Sequence, residues 1–247
     1  MNVSDKVQES YSNQYDQSIF DWRNLGAKYK AANIVELTKD RTFSSVLEVG
    51  CGEGSILDWL SKWNFSQNLN GIEISESGIE KINSKNIKNL NQVLLFDGYK
   101  IPFPDKHFDL VICSHVMEHV EHERVLLREI KRISKYQVFE VPIDFSFFVD
   151  KKINHFMSYG HINIYTPALF KFLLQTENFI VEKEKFYLYD DEILKKLYAN
   201  KMLIYLKVKF KHIIFKLIPF LLRIKPSSFV VLTKENEKDI SIFEPIK

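Results

Sequence analysis

Cysteine is nearly missing from this 247-residue chain. The two present, Cys51 and Cys113, are too far apart for a C-x-x-C or zinc spacing, which excludes a disulfide framework or a structural zinc site and points to a reduced, intracellular setting. Long uncharged apolar runs are missing as well, and the polar start MNVSDKVQESYSNQYDQ has no apolar signal region, so neither a bilayer span nor a leader is expected. Net charge is only +2, too small for a global field that would attract nucleic acid. No internal repeat or low-complexity linker divides the chain. At 45% hydrophobic residues, the length suits one α/β domain with additions.

Glycine is also scarce. Of eight glycines, three crowd into SVLEVGCGEGSIL, at Gly50, Gly52 and Gly54. The apolar run before them fits a buried strand, and a helical pattern, SILDWLSKW, follows. Glycine at a strand-to-helix turn lets the backbone bend and approach a ligand that a Cβ would exclude, and the helix start offers N–H groups to polar or anionic atoms. The pattern G-x-G-x-G is neither the dinucleotide fingerprint nor a P-loop, because no lysine follows it. Glu48 precedes it by two residues, and the next strand, NLNGIEIS, ends in Glu73, where a carboxylate can accept hydrogen bonds from ribose hydroxyls. Together these favour an adenosine ligand.

Taken in order, residues 1 to about 40 read as a helical cap with a break near Asn24-Leu25-Gly26, carrying Tyr11, Tyr15 and Trp22. Strands are expected at VLEV, NLNGIEIS, QVLLFD (ending at Asp97), FDLVICS, YQVFEVP (ending at Pro142), FIVEKEKFYLY and SFVVLTK. Helices alternate with them, at ESGIEKIN, EHERVLLREIKRI and ALFKFLLQTE, the last opened by Thr166 as cap and Pro167 at the first position. Alternation of this kind predicts a parallel sheet with helices on both faces. Residues 144 to 165 read as an irregular, aromatic-rich loop. Tyr11 and Tyr15 are placed where a ring face could lie over a cation.

VLEVGCGEGSI, GIEIS, FDGYKIPFPDKHFDLVICSHVMEHV and GHINIYTPALFKFLLQTENF, in that order, resemble the class I S-adenosylmethionine-dependent methyltransferases, in particular the small type 11 branch of ubiquinone and small-molecule methyltransferases. The resemblance covers roughly residues 40 to 190. It implies a Rossmann-like α/β fold with a seven-stranded, mostly parallel sheet of order 3-2-1-4-5-7-6 and helices on both faces. With the patterns on either side, the chain divides into a cap (1–40), a core with the cofactor site (41–190), a basic helical insertion (191–226) and a last strand and tail (227–247). The resemblance further implies S-adenosyl-L-methionine as cofactor, with Glu48, Gly50, Cys51, Gly52 and Gly54 at its methionine part. Glu73 would hold the ribose, with Ile74 against the adenine. Asp97 would take the adenine amino group beside Gly98, and Ser114, His115 and Tyr15 would border the sulfonium. Asn178 stands where the family often has glycine, and asparagine tolerates the left-handed conformation.

Methyl transfer mainly requires nucleophile and methyl held in line, and an acceptor hydroxyl or amine also needs a base. His115, His119 and His161 are the candidates. If residues 115 to 122 are helical, His115, Glu118, His119 and His122 share a face. Local packing, a general base and a divalent metal site are the three readings of that face. The E-x-x-E-H of some ubiquinone-pathway O-methyltransferases is altered here by His115, and no metal ligand is assigned. Phe145, Phe147, Phe148, Phe156 and His155 belong to the stretch that forms the acceptor pocket wall in the family.

Acidic residues are absent from Ile193 to Thr233 while lysines abound. Laid on one helix kinked at Pro219, Leu203, Leu206, Phe210, Ile213, Leu217, Phe220 and Leu221 form a stripe flanked by Lys207, Lys209, Lys211 and Lys216. The stripe is expected to pack on the domain or on a homodimer mate, with peripheral membrane contact through 195–225 as the sharper alternative and specific nucleic-acid contact not expected. The resulting expectation is a cytoplasmic methyltransferase, peripheral at the inner face of the membrane if the helix docks. Its acceptor would be a small molecule, a glycan or a lipid-linked precursor, methylated on oxygen. The alternatives are a cofactor-binding or membrane-docking protein without turnover and a tRNA-modifying methyltransferase.

Overall fold

The computed structural model describes residues 20–145, 149–158, 160–198, 200–224 and 226–238. Seven strands form one sheet: β1 (Ser45–Val49), β2 (Asn68–Glu73), β3 (Leu90–Leu95), β4 (Phe108–Ser114), β5 (Ser134–Pro142), β6 (Phe179–Tyr187) and β7 (Ser228–Glu235). Their order is β3-β2-β1-β4-β5-β7-β6. β1 to β5 pair in parallel, and β7 runs antiparallel to both of its neighbours. The expected topology is therefore present.

Strands covered on both faces can be apolar throughout, which is why FDLVICS reads as an almost continuous buried run. Successive side chains still go to opposite faces. Val46, Leu110, Ile112, Val138, Val230 and Leu232 pack with helices α1 (Phe20–Leu37), α2 (Ser55–Lys62) and α3 (Glu76–Ser84). Leu47, Val49, Val111, Phe139, Phe229 and Val231 pack with α4 (Glu123–Ile133) and α6 (Pro167–Thr176). In α4, Leu126, Leu127, Ile130 and Ile133 make the expected buried face. Thr166 caps α6 by accepting a hydrogen bond from the Leu169 N–H at 3.1 Å, and Asn178 after it has φ 65°. Burial of these side chains, about 1.5–3 kcal/mol for each large one, is the main drive to the three-layer arrangement.

Four local expectations are corrected. No break occurs at Asn24-Leu25-Gly26, because α1 runs through it. There Leu25 and Ala27 are buried and Asn24 accepts a hydrogen bond from the Trp59 indole at 3.0 Å, so tertiary packing overrides the glycine. β3 stops at Leu95, two residues before Asp97. The aromatic stretch is partly helical, with a 3-10 turn at Val149–Lys152 and helix α5 at Ile153–Ser158 anchored by buried Phe156. The insertion forms three helices, α7 (Asp191–Leu197), α8 (Met202–Leu217) and α9 (Phe220–Ile224), separated rather than kinked at Pro219. Tyr11, Tyr15, Phe147 and Phe148 lie outside the described residues.

Candidate active site

The carboxyl ends of the five parallel strands converge on one edge of the sheet, where ligands of open α/β sheets bind. Gly50, Gly52 and Gly54 have φ values of 68°, 54° and 74°, a region that side chains rarely tolerate. A Cβ on Gly50 would stand 2.6 Å from Val116 Cγ2, and one on Gly54 would collide with Ile82 of α3. The turn is locked to β2 by hydrogen bonds from the Gly50 and Cys51 N–H groups to the Ile72 carbonyl, at 2.9 and 3.1 Å.

Glu73 is buried and oriented by the backbone. It accepts from the Gly52 N–H (2.8 Å), the Ile74 N–H (2.9 Å) and the Ser75 N–H (3.1 Å). Burial raises its pKa, and those three donors oppose the rise. Glu48 is also buried, with Oε2 lacking any hydrogen-bond partner. Burial pushes its pKa up to about 8, opposed by the Lys30 charge and reinforced by Glu73. Asp97 folds its own loop, its Oδ1 accepting from the Tyr99 and Lys100 N–H groups at 2.9 and 2.6 Å. Gly98 beside it has φ 90°. Ser114, at the end of β4, donates to Glu140 Oε2 at 3.0 Å.

Residues 115 to 122 are not a helix, contrary to the shared-face expectation. His115 is left-handed at φ 56°, Met117–His119 make a single 3-10 turn, and His122 takes the cap position of α4 with its ring 5.7 Å from Tyr99. A left-handed histidine is strained, and such strain concentrates at functional sites. The turn nevertheless gathers His115 and His119 around Glu118, with His115 Nδ1 at 3.3 Å and His119 Nε2 at 3.8 Å from Oε1. Glu118 is fully buried and neither approach has hydrogen-bond geometry. Burial raises its pKa, but the two imidazoles outweigh that and the net shift is downward.

His161 reaches the same place from the far side of the aromatic stretch. The His119 and His161 rings are 4.9 Å apart and edge-on. His161 Nδ1 lies 2.6 Å from Asp144 Oδ2, and His119 Nδ1 lies 2.9 Å from the Gly160 carbonyl. Both contacts assign the proton to Nδ1, which makes Nε2 the basic nitrogen in each ring. Burial lowers the His119 pKa more than Glu118 restores it. In His161 the same burial effect is outweighed by Asp144 and Glu118, and the pKa rises. Glu118, His119 and His161 each offer a ligand atom within 4.8 Å of the others, so the cluster can move a proton or hold a cation.

Three participants escape sequence reasoning. Asp144 orients His161. Glu140 accepts from Ser114, from Asn33 of α1 (2.9 Å) and from Ser228 of β7 (3.0 Å). Lys30, also on α1, has its pKa lowered by burial against the opposing charges of Glu140, Glu118 and Glu48. The available signals were Asp144 just past Pro142 and a lysine on the alanine-lined side of α1. The site thus collects the buried carboxyl groups of Glu48, Glu73, Glu118 and Glu140, a lining rich in hydrogen-bond acceptors.

Residues 22–184 match the family described as the methyltransferase domain, more than half of the chain, and the protein belongs to it. Its fold and site make it a class I S-adenosyl-L-methionine-dependent methyltransferase. Among curated relatives, a Bacillus subtilis methyltransferase, YrhH, is 29% identical over 126 residues, 48% of this chain and 69% of that protein. A Candida albicans mitochondrial ubiquinone biosynthesis O-methyltransferase is 30% identical over 117 residues, 44% of this chain but only 36% of that enzyme. In three dimensions, a methyltransferase from Archaeoglobus fulgidus shares the fold with a TM-score of 0.60 at 22% identity, covering 90% of this chain and all of that one.

The residues present fit the cofactor. The glycine turn keeps Cβ atoms out of the cradle, Glu73 is preset by three backbone donors, and the orphaned Glu48 oxygen offers a buried acceptor.

Proposed function

We propose that this enzyme methylates a hydroxyl oxygen of a small-molecule, glycan or lipid-linked acceptor, with His161 as general base. The observation that carries the reading is the 2.6 Å contact between His161 Nδ1 and Asp144, beside His119 and Glu118. S-adenosylmethionine supplies, when bound, an electrophilic methyl group on a positively charged sulfur. Glu48, Gly50, Cys51, Gly52 and Gly54 would hold its methionine part, Glu73 and Ile74 its ribose and adenine, and Asp97 and Gly98 the far edge of the base. Ser114 and His115 would border the sulfur. Asp144 fixes the His161 tautomer, so Nε2 takes the hydroxyl proton as the oxygen attacks. His119, whose lowered pKa keeps it neutral, adds a second acceptor for the hydroxyl. The stated role of the Candida relative, O-methylation, is in keeping with this chemistry.

The test is transfer of labelled methyl to a panel of phenols, sugars and prenyl-linked glycans, with the product's methyl located by NMR. Asp144→Asn and His161→Asn are each expected to lower kcat by about 10²–10³-fold with cofactor affinity intact. A methyl on carbon or nitrogen, or wild-type turnover in Asp144→Asn, overturns the assignment.

A second reading rests on the two oxygens of buried Glu118, which accept no hydrogen bond, and on its closeness to His119 and His161. In it Glu118, His119 and His161 would hold a divalent cation, which would supply Lewis-acid polarisation of the acceptor hydroxyl, a chemistry that carboxylate and imidazole ligands support.

A further inference from the structure

Helix α8 carries its expected stripe, but not against the domain. Leu203, Leu206, Phe210, Ile213 and Leu217 are all exposed, Leu203 at 83%, Phe210 at 65% and Leu217 at 75%. No residue of α8 is fully buried, and the helix rests on α7 and α9 rather than on the sheet. The face turned inward is the opposite one, where Tyr205, Val208, His212 and Phe215 are half-buried and Tyr205 donates to Asp191 at 3.0 Å.

At 3.6 residues per turn, Lys207 and Lys211 fall on one side of the exposed stripe and Lys209 and Lys216 on the other. An apolar ridge of about 21 Å is thus fenced by cations on both flanks. Residues 193 to 233 contain no acidic side chain to neutralise them. Asp191 pairs with Lys209 and Lys195, while Lys207, Lys211 and Lys216 have no ion pair among the described residues.

We infer that α8 docks the enzyme in the plane of an anionic lipid bilayer, its ridge in the acyl boundary and its lysines at the headgroups. Two considerations select this occupant over a second copy. Pairing two ridges about a two-fold axis would bring lysine flanks together with no opposing carboxylate. A bilayer accepts both the apolar area and the charge. No helix among the described residues is long and apolar enough to cross a membrane, so the attachment is in-plane. Lys211 is close enough to Lys152 for their charges to repel. Lys152 begins a segment whose Ile153, Met157 and Ile162 are also exposed and which carries His161. Docking therefore brings the acceptor side of the enzyme toward the lipid.

The experiment is co-sedimentation of the full chain with vesicles of phosphatidylcholine alone and of phosphatidylcholine mixed with phosphatidylglycerol. Binding is expected only to the mixed vesicles, and to weaken with salt. Lys207→Glu/Lys216→Glu should lower the partition at least tenfold, from about fivefold per lysine, and Leu206→Asp/Phe210→Asp should abolish it. All four positions are exposed, so melting curves and cofactor binding should match wild type, which separates this result from any failure of the catalytic reading. No sedimentation, equal sedimentation with neutral vesicles, or unchanged binding by the charge variant overturns the inference. A concentration-dependent dimer broken by Leu206→Asp/Phe210→Asp would instead give the ridge to a second copy.

Discussion

Replacing Glu48 with glutamine should make the protein more stable at pH 8 and a weaker cofactor binder. The carboxyl is 2% exposed, and burial pushes its pKa to about 8 from 4.5. The folded pKa is raised, so between pH 4.5 and 8 the unfolded chain releases a proton that the folded one keeps. Stability therefore falls as pH rises through this window. At about 1.4 kcal/mol per pH unit, the loss between pH 5 and 8 is at most about 4 kcal/mol. Coupling to Lys30 and Glu73 reduces it, and about 2–4 kcal/mol is the expected range. Glutamine keeps the shape and removes the titration. Urea unfolding of wild type and Glu48→Gln without cofactor should nearly coincide at pH 5 and separate by that amount at pH 8, or by roughly 4–16 °C in Tm. Other titrating groups cancel in the difference. On the proposed cofactor placement, calorimetry at pH 8 should show the opposite sign for function, because the variant lacks the charge that Glu48, half ionised at that pH, gains beside a cationic ligand. A stability difference that stays constant with pH would refute the account of Glu48.

Gly54→Ala should cost about 2 kcal/mol or more in stability and weaken cofactor binding, since alanine is strained at φ 74° and its Cβ meets Ile82; a differential scanning trace like that of wild type would contradict the geometry of the turn. Glu177 sits under Arg124 and Arg128 at 2.7 Å each, and although its burial acts upward, the arginines bring its pKa below the usual carboxylate range. Its stabilising effect is thus present at neutral pH and lost as pH falls through the lowered value. Glu177→Gln should cost about 1–2 kcal/mol at pH 7 and almost nothing near pH 3, by urea titration. The cation reading of Glu118, His119 and His161 expects turnover to drop tenfold or more in a chelator and to return with added Mg²⁺ or Mn²⁺; turnover indifferent to chelation ends it.

What could be seen in the sequence was what local chemistry dictates. Three glycines in five residues, a carboxylate at the end of the next strand and the apolar run of β4 are contiguous signals, and the sheet order followed from the resemblance they carried. The cluster around Glu118 was only half legible. His115, Glu118 and His119 do meet, but by a left-handed residue and a 3-10 turn rather than by helical spacing, and His122 points away to Tyr99. Asp144, Lys30 and Glu140 left at most faint signals, because each matters through a partner more than fifteen residues away. The insertion misled in the other direction. Its amphipathic pattern was plain, yet pattern alone does not say which face the domain takes, and the domain takes the smaller one.

The position of β7 sets the order in which this enzyme can become whole. Residues 228–235 slot between β5 and β6, so until they are made β6 has no strand to pair with and β5 keeps an open edge. Ser228, on that strand, also completes the shell around Glu140. A nascent chain can therefore build the cofactor half of the sheet early, but it exposes a sticky strand edge until residues 228–235 emerge. A chain that stops before residue 228 is therefore expected to aggregate through that edge, which the solubility of a chain cut at residue 227 checks.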